Sequence, residues 1–222
     1  MQRFFDILFS GLALIVFSPF FLPVVIILKF TGEGEIFYVQ QRVGKDGRMF
    51  GLLKFATMLK DSANMGTGTV TVKNDPRVLP IGKFLRKTKI NELPQLLNIF
   101  LGDMSVIGPR PQTERCFLAF PEVSQDAIKQ VKPGLSGIGS IVFRDEESIL
   151  DNPEIDRLKF YDDVIAPYKG ELEQWYVNHQ NLYTYFMLIG LTVWVVLFPK
   201  KDTYKKVFSD LPPVPEVLSK DI

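Results

Sequence analysis

Lys83-Phe84-Leu85-Arg86-Lys87-Thr88-Lys89-Ile90-Asn91-Glu92-Leu93-Pro94-Gln95 continues through Leu96-Leu97-Asn98-Ile99-Phe100-Leu101-Gly102 to Asp103-Met104-Ser105-Val106-Ile107-Gly108-Pro109-Arg110-Pro111. The first part holds four cations, Lys83, Arg86, Lys87 and Lys89, and no acid, while Ile81, Phe84 and Leu85 recur at helical spacing. This pattern predicts a helix with one face in a core and the other cationic. After Asn91 the apolar positions Leu93, Leu96, Leu97, Phe100 and Leu101 again follow a 3.6-residue period, and Gly102 stands where a helix C-terminus calls for it. Two short helices therefore meet at Asn91-Glu92. Pro94 fits the first turn of the second one, where its missing N–H has no intrahelical partner. On that register Asn91 reads as an N-cap worth about 1 kcal/mol. Glu92 has a second reading, a carboxylate held among cations for phosphate or metal chemistry.

Outward from this stretch, the charge is unevenly spread. The formal net charge of the 222 residues is only +1, yet Gln41 to Ile90 carries eleven Lys/Arg against three Asp/Glu, and Asp145 to Glu173 carries ten Asp/Glu against three Lys/Arg. The basic half suits anionic partners such as nucleotide diphosphates, lipid phosphates or a membrane surface. The acidic stretch reads mostly as a solvated helix face. Cys116 is the one cysteine, so no intrachain disulfide forms and a reducing, cytosolic setting is expected; with His179 the one histidine, a zinc site is not expected. No DNA- or RNA-binding signature accompanies the cations, so a nucleic-acid partner is not expected.

Ile7 to Leu28 has no charged residue, enough for about 33 Å of helix. Ser18-Pro19 interrupts it and Pro23 follows, so a sharp kink is predicted, with Ser18 bonding back to the freed backbone. Arg3 lies on one flank, Lys29 and the basic block from Arg42 on the other. Two basic flanks favour a re-entrant helix-break-helix over a plain span, the alternative by length. A signal peptide lacks its small-residue cleavage site here. Leu182 to Phe198 is the second uncharged run, read as an interfacial or membrane-inserted helix before Pro199 and Lys200, Lys201, Lys205 and Lys206. The tail from Leu211 is expected to be unstructured. The expected division is 1–30, a membrane hairpin; 31–181, a catalytic domain; 182–199, the second apolar helix; 200–222, a basic and then Pro-rich tail. The fold class is α+β, mainly helical, with a small β-hairpin.

That hairpin is predicted from Ile36-Phe37-Tyr38-Val39 and Met49 to Phe55 around the Asp46-Gly47 turn, with Arg42 and Lys54 near its ends. Asp61 to Asp75 reads as a mobile loop able to close over a ligand. Arg110, fixed between two prolines, is pre-organised for a bidentate grip on phosphate or carboxylate. Lys132-Pro133-Gly134 and Ser136-Gly137-Ile138-Gly139 form a glycine-rich turn whose N–H groups could line an anion site.

These residues together resemble the bacterial sugar transferases, the monotopic phosphoglycosyl transferases that initiate O-antigen, capsule and exopolysaccharide synthesis. The resemblance covers roughly residues 3 to 200. It rests on Ser18-Pro19, Gln41-Arg42-Val43-Gly44, Lys54-Phe55-Ala56-Thr57-Met58, Asp75-Pro76-Arg77-Val78, Glu92-Leu93-Pro94-Gln95, Gly102 to Pro111, and Lys132 to Gly137. It implies transfer of a phospho-sugar from a UDP-sugar to a polyprenyl (undecaprenyl) phosphate, with Mg²⁺ present and UMP leaving, at the cytosolic face of the bacterial inner membrane. Arg42, Lys54, Arg77, Arg86, Arg110 and Ser136 are the expected phosphate contacts, Glu92 and Asp103 the expected metal ligands. Expected partners are both substrates and the lipid bilayer, with a second copy or downstream glycosyltransferases as candidate protein partners.

The sequence departs from the family pattern at its centre. The family's covalent route uses the Asp of an Asp-Glu pair, and this chain has Asn91 there; Ala56 also stands where relatives commonly carry Arg. An amide neither attacks phosphorus usefully nor binds Mg²⁺ as a carboxylate does. Four outcomes stay open: Glu92 as nucleophile, Asp103 as substitute metal ligand, direct transfer, or a non-catalytic scaffold of the same fold.

Overall fold

The computed structural model describes residues 1–65, 75–151, 155–198, 203–219 and 222. In chain order it contains α1 (Gln2–Lys29), β1 (Phe37–Val43), β2 (Met49–Phe55), α2 (Pro80–Lys87), α3 (Gln95–Leu101), β3 (Ser105–Ile107), α4 (Glu114–Leu118), α5 (Glu122–Ile128), β4 (Gly134–Ser136), α6 (Ile138–Val142), α7 (Glu146–Ile149), α8 (Arg157–Phe160), α9 (Ala166–Asn178), α10 (Leu182–Leu197) and α11 (Thr203–Val207). The expected class, mainly helical with one small hairpin, is the class observed. β1 and β2 pair antiparallel from Phe37↔Phe55 to Val43↔Met49. Asp46 and Gly47 turn the chain with φ of 58° and 71°. A second, parallel pair, Ser105↔Gly134 and Ile107↔Ser136, has no counterpart in the sequence reading, because three-residue strands are too short to show a period.

α1 runs as one helix through Pro19 and Pro23, so the expected break at Ser18-Pro19 does not end it. The reason is local: Pro19 cannot donate to the Ile15 carbonyl, and the Ser18 hydroxyl takes that acceptor at 2.8 Å. Among the described residues, α1 is the helix long and apolar enough to cross a membrane. One side of it lies on the rest of the protein along its length. Near its start the buried Asp6 carboxylate accepts from Ser105 Oγ, Val106 N and the Tyr185 hydroxyl, each at 2.9 Å. Ala13 and Leu14 pack with Leu52, Leu96, Ile99 and Met104. At its end Leu28, with Phe21, Val24 and Val25, meets Phe55 and Leu85. The other side exposes Phe4, Leu12, Ile15, Val16, Phe20 and Leu22.

The largest core lies under α9 and α10, where Ile165, Leu172, Tyr176, Tyr185, Leu188 and Leu191 join Ile107, Ile138 and Phe143. α10 buries Thr184, Tyr185, Leu188, Leu191 and Val195 and leaves Tyr183, Val193, Trp194, Val196 and Leu197 exposed. The tail is not unstructured. Leu218 is 0% exposed, and the Tyr168 hydroxyl donates to the Pro212 carbonyl at 3.1 Å; Leu211 and Val214 supply enough apolar surface to hold the Pro-rich segment on the core. Lys200 and Lys201, and residues 66–74 of the expected loop, lie outside the described residues.

Candidate active site

The turn between α2 and α3 places the central pair. Lys89 adopts φ 60°, a left-handed conformation uncommon for a residue with a Cβ. It ends α2 abruptly and starts a single 3₁₀ turn over Ile90–Glu92. Asn91 is therefore not the N-cap of α3, which begins at Gln95 after Pro94. Instead Asn91 is 6% exposed and Gln95 3%; Asn91 Oδ1 and Gln95 Nε2 are buried with no hydrogen-bond partner. Buried polar atoms left without a partner mark a place built for something other than stability. Leu85 faces the core as expected, whereas Phe84 is 56% exposed, because α2 spans only Pro80–Lys87 and packs through Ile81 and Leu85.

Glu92 faces a ring of cations. Arg110 Nη2 donates to Glu92 Oε1 at 2.9 Å, with 34% of the arginine side chain and 15% of the glutamate side chain accessible. From the hairpin, alternation puts Gln40 and Arg42 on one face, and the Tyr38↔Lys54 register puts Lys54 on the same one. Gln40 Oε1 accepts from Arg42 Nη2 at 2.6 Å and from Lys54 Nζ at 3.5 Å. Arg42 Nη1 donates to the Pro111 carbonyl at 3.2 Å, which ties the hairpin to the Pro-Arg-Pro segment. Arg86, on the cationic face of α2, adds its charge to the same field.

The proton affinities follow from this crowding. Burial lowers Lys54 to about 7, aided by Arg42, Arg110 and Arg86 and opposed by Glu92. Arg42 falls to about 10, through burial and then Arg110. Burial pushes the Glu92 carboxyl up, but Arg110, Lys54 and Lys89 together outweigh it and hold it at about 2. Arg110 is raised, chiefly by Glu92. The result is one permanent carboxylate among cations that outnumber it, a field short of negative charge.

The family model described as "Bacterial sugar transferase" matches residues 1–199. The chain belongs to the bacterial sugar transferase family. It is 37% identical over 161 residues to the exopolysaccharide production protein ExoY of Rhizobium meliloti, covering 66% of this chain and 71% of that protein. It is 37% identical over 147 residues to the UDP-N-acetylgalactosamine-undecaprenyl-phosphate N-acetylgalactosaminephosphotransferase of Aeromonas hydrophila, covering 64% of this chain and 34% of that protein. The undecaprenyl-phosphate galactose phosphotransferase of Salmonella typhimurium is 30% identical over 212 residues, 89% of this chain and 40% of its own length. The chain thus spans well under half of the two relatives whose names state a reaction.

In this sugar transferase the structure gathers Arg42, Lys54, Arg86, Asn91, Glu92 and Arg110, and it separates three expected site residues from them. Asp103 follows Gly102 at the far end of α3, about 10 Å of helix away from Glu92, where it is exposed and accepts from Asn98 Nδ2 at 3.2 Å. Arg77 is 4% exposed and clamps the chain around it, donating to Asp75 Oδ1 at 2.9 Å and to the Ser62 and Met65 carbonyls at 2.7 Å. Ser136 Oγ pairs with Thr192 Oγ1 at 2.9 Å, joining β4 to α10. Sequence reasoning missed Gln40, whose signal was its two-residue spacing from Arg42 on a strand. It also missed Glu173, which lay in the stretch read as solvated and is 1% exposed.

Mg²⁺ can be tested against these residues. Among those described, no three His, Cys, Asp or Glu side chains come together as a metal site. Mg²⁺ keeps several waters and takes one or two carboxylates with substrate phosphates; the one carboxylate here is Glu92, with the orphaned Asn91 Oδ1 the neutral oxygen beside it in sequence.

Proposed function

We propose that this chain transfers a phospho-sugar from a UDP-sugar to a polyprenyl phosphate at the cytosolic face of the bacterial inner membrane. The observation that carries the reading is the cation ring around one ionised carboxylate, set against the helix that bears the apolar outer face. Phe55, Leu85 and Ile90 pack with the C-terminal half of α1, and each is the chain neighbour of a site residue, Lys54, Arg86 or Asn91. A soluble diphosphate and a lipid phosphate at headgroup level can meet there.

α1 is read as re-entrant. A span carries one end away from a cytosolic body by the thickness of the bilayer. Here Asp6 at one end and Leu28 at the other are both buried against the same body, while the outward side and the outer face of α10 stay apolar and exposed.

Arg42, Lys54, Arg86 and Arg110 hold the donor diphosphate and offset charge that builds on it. Glu92 fixes the Arg110 fork by its ion pair and, with Asn91 Oδ1, would hold Mg²⁺, which supplies further charge neutralisation when bound. Asn91 offers only a neutral, weakly nucleophilic amide, and Glu92 is so weakly basic that covalent attack is disfavoured. Transfer is therefore direct: an acceptor phosphate oxygen forms the new bond to the sugar-bearing phosphorus. The diphosphate P–O bond breaks, and UMP leaves with the bridging oxygen. UMP release in nanodiscs, with undecaprenyl phosphate and a panel of UDP-sugars, tests this. No release with any pair would favour a non-catalytic scaffold of the same fold, the reading that Asn91 alone suggests.

A further inference from the structure

Arg110 sits in a segment whose carbonyls are held by Gly134 N, Gln112 Nε2 and Arg42 Nη1 but which has very few donors of its own. Pro109 and Pro111 have no N–H, so the Arg110 amide is the only backbone donor of the three residues. That donor goes to a side chain from a distant element: Arg110 N lies 3.3 Å from Glu173 Oε1, on α9. Glu173 is 1% exposed, and its other oxygen, Oε2, has no hydrogen-bond partner. Burial pushes its carboxyl up to about 7, against the pull of the Arg110 amide, Lys169 and the Arg110 charge. The nearby Lys169 ammonium is committed to Glu146.

A buried carboxylate with one oxygen unpaired is a poor stabiliser, since such a group forfeits its hydration without full compensation. The fold nevertheless makes room for it. A Cβ on Gly139, in α6, would come within 2.3 Å of Glu173 Oε1, so the glycine keeps open the space that the carboxylate occupies. α6, α9 and the Pro-Arg-Pro segment thus converge on one contact, behind an arginine whose other end grips Glu92.

We infer that Glu173, with Gly139 giving it room, is the positioning residue that sets Arg110. It anchors the single free amide of the segment so that the guanidinium reaches Glu92 and the donor diphosphate. Glu173 acts through Arg110 and does not touch substrate itself.

The test uses the full chain in nanodiscs and has two arms. In the first, hydrogen–deuterium exchange is read on overlapping peptides that differ by Pro109–Pro111, a difference that contains one amide. E173A and G139A should each speed its exchange ~10-fold or more, while E173Q, which keeps an acceptor oxygen, should restore most of the protection. The G139A/E173A double variant should exchange no faster than either single one, because the smaller side chain removes the clash. Unchanged exchange in E173A, or additive effects in the double variant, would overturn the inference.

The second arm rests on the proposed transfer reaction. E173A should lower kcat ~10-fold or more and cost nothing further in an R110A background. A further loss there of the same size would show that Glu173 does not act through Arg110. An inactive parent with the exchange pattern intact would leave the positioning role standing and remove only the transfer reading.

Discussion

Binding of a diphosphate should draw a proton onto Lys54, and the structure sets the size of the effect. Lys54 lies among Arg42, Arg86 and Arg110 and titrates at about 7 instead of 10.5. At pH 8 roughly one tenth of it is protonated in the empty site. A diphosphate brings opposite charge into contact with the ammonium, and an opposite charge at that range raises a lysine by about 1–3 units. Near the middle of that range, binding at pH 8 takes up ~0.8 proton per site, whereas at pH 6 the lysine is already charged and uptake falls to ~0.1. Calorimetric titration of UDP in two buffers of different ionisation enthalpy reads this number directly. K54M should abolish the pH 8 uptake. The sign also fixes a stability trend. Because the folded value lies below the unfolded one, the unfolded chain binds more protons between pH 7 and 10.5. Lys54 therefore makes the empty protein less stable as pH falls through that window, and UDP should flatten the slope. Equal enthalpies in the two buffers at pH 8, or undiminished uptake in K54M, would refute the reasoning.

Further outcomes follow from the same site. R110K keeps the charge but loses the planar fork that meets Glu92, so activity should drop ~10-fold or more, equivalent to about 1.4 kcal/mol; equal rates would remove Arg110 from the phosphate-binding role. The parent should release no UMP from UDP-sugar alone, whereas N91D should release up to one equivalent and keep a phospho-sugar adduct on that residue; a burst from the parent would argue for covalent attack by Glu92. Single cysteines at positions 2 and 33 should both be shielded from impermeant reagents in intact cells, and labelling at position 2 alone would show that α1 spans the membrane.

Much of the site was legible because the relevant signals are local. Arg110 between two prolines, Gly102 after a helical period, and Asp46-Gly47 between β-forming runs each act within a few residues of chain. The hairpin itself was legible, with Arg42 and Lys54 near its ends, while the register that puts the two on one face comes from the folded pairing. Asn91 was harder. Its residue type and spacing fit an N-cap, and only the left-handed Lys89 makes it a buried member of a 3₁₀ turn. The resemblance implies Arg77 and Ser136 as phosphate contacts, and the folded chain supplies partners to both, Asp75 with two carbonyls for Arg77 and Thr192 for Ser136. Asp103 lies beyond α3 from Glu92, a separation that the one-dimensional pattern does not display.

Family, helix-and-hairpin composition, apolar segments and the excess of cations along the stretch up to Glu92 are all readable from the chain as a string. The family is carried by its motifs, and the others are set by periodicity, turn chemistry or charge count, quantities that do not depend on which distant residues meet. The tertiary structure alone decided which cations converge and which are consumed elsewhere, that α1 lies along the body at both ends, and that the Pro-rich tail is packed. It also decided that Glu173, one acid among many in a charged stretch, is buried behind Arg110. A side chain's desolvation and its partners are fixed by contacts between residues far apart in the chain, and local pattern carries no record of them.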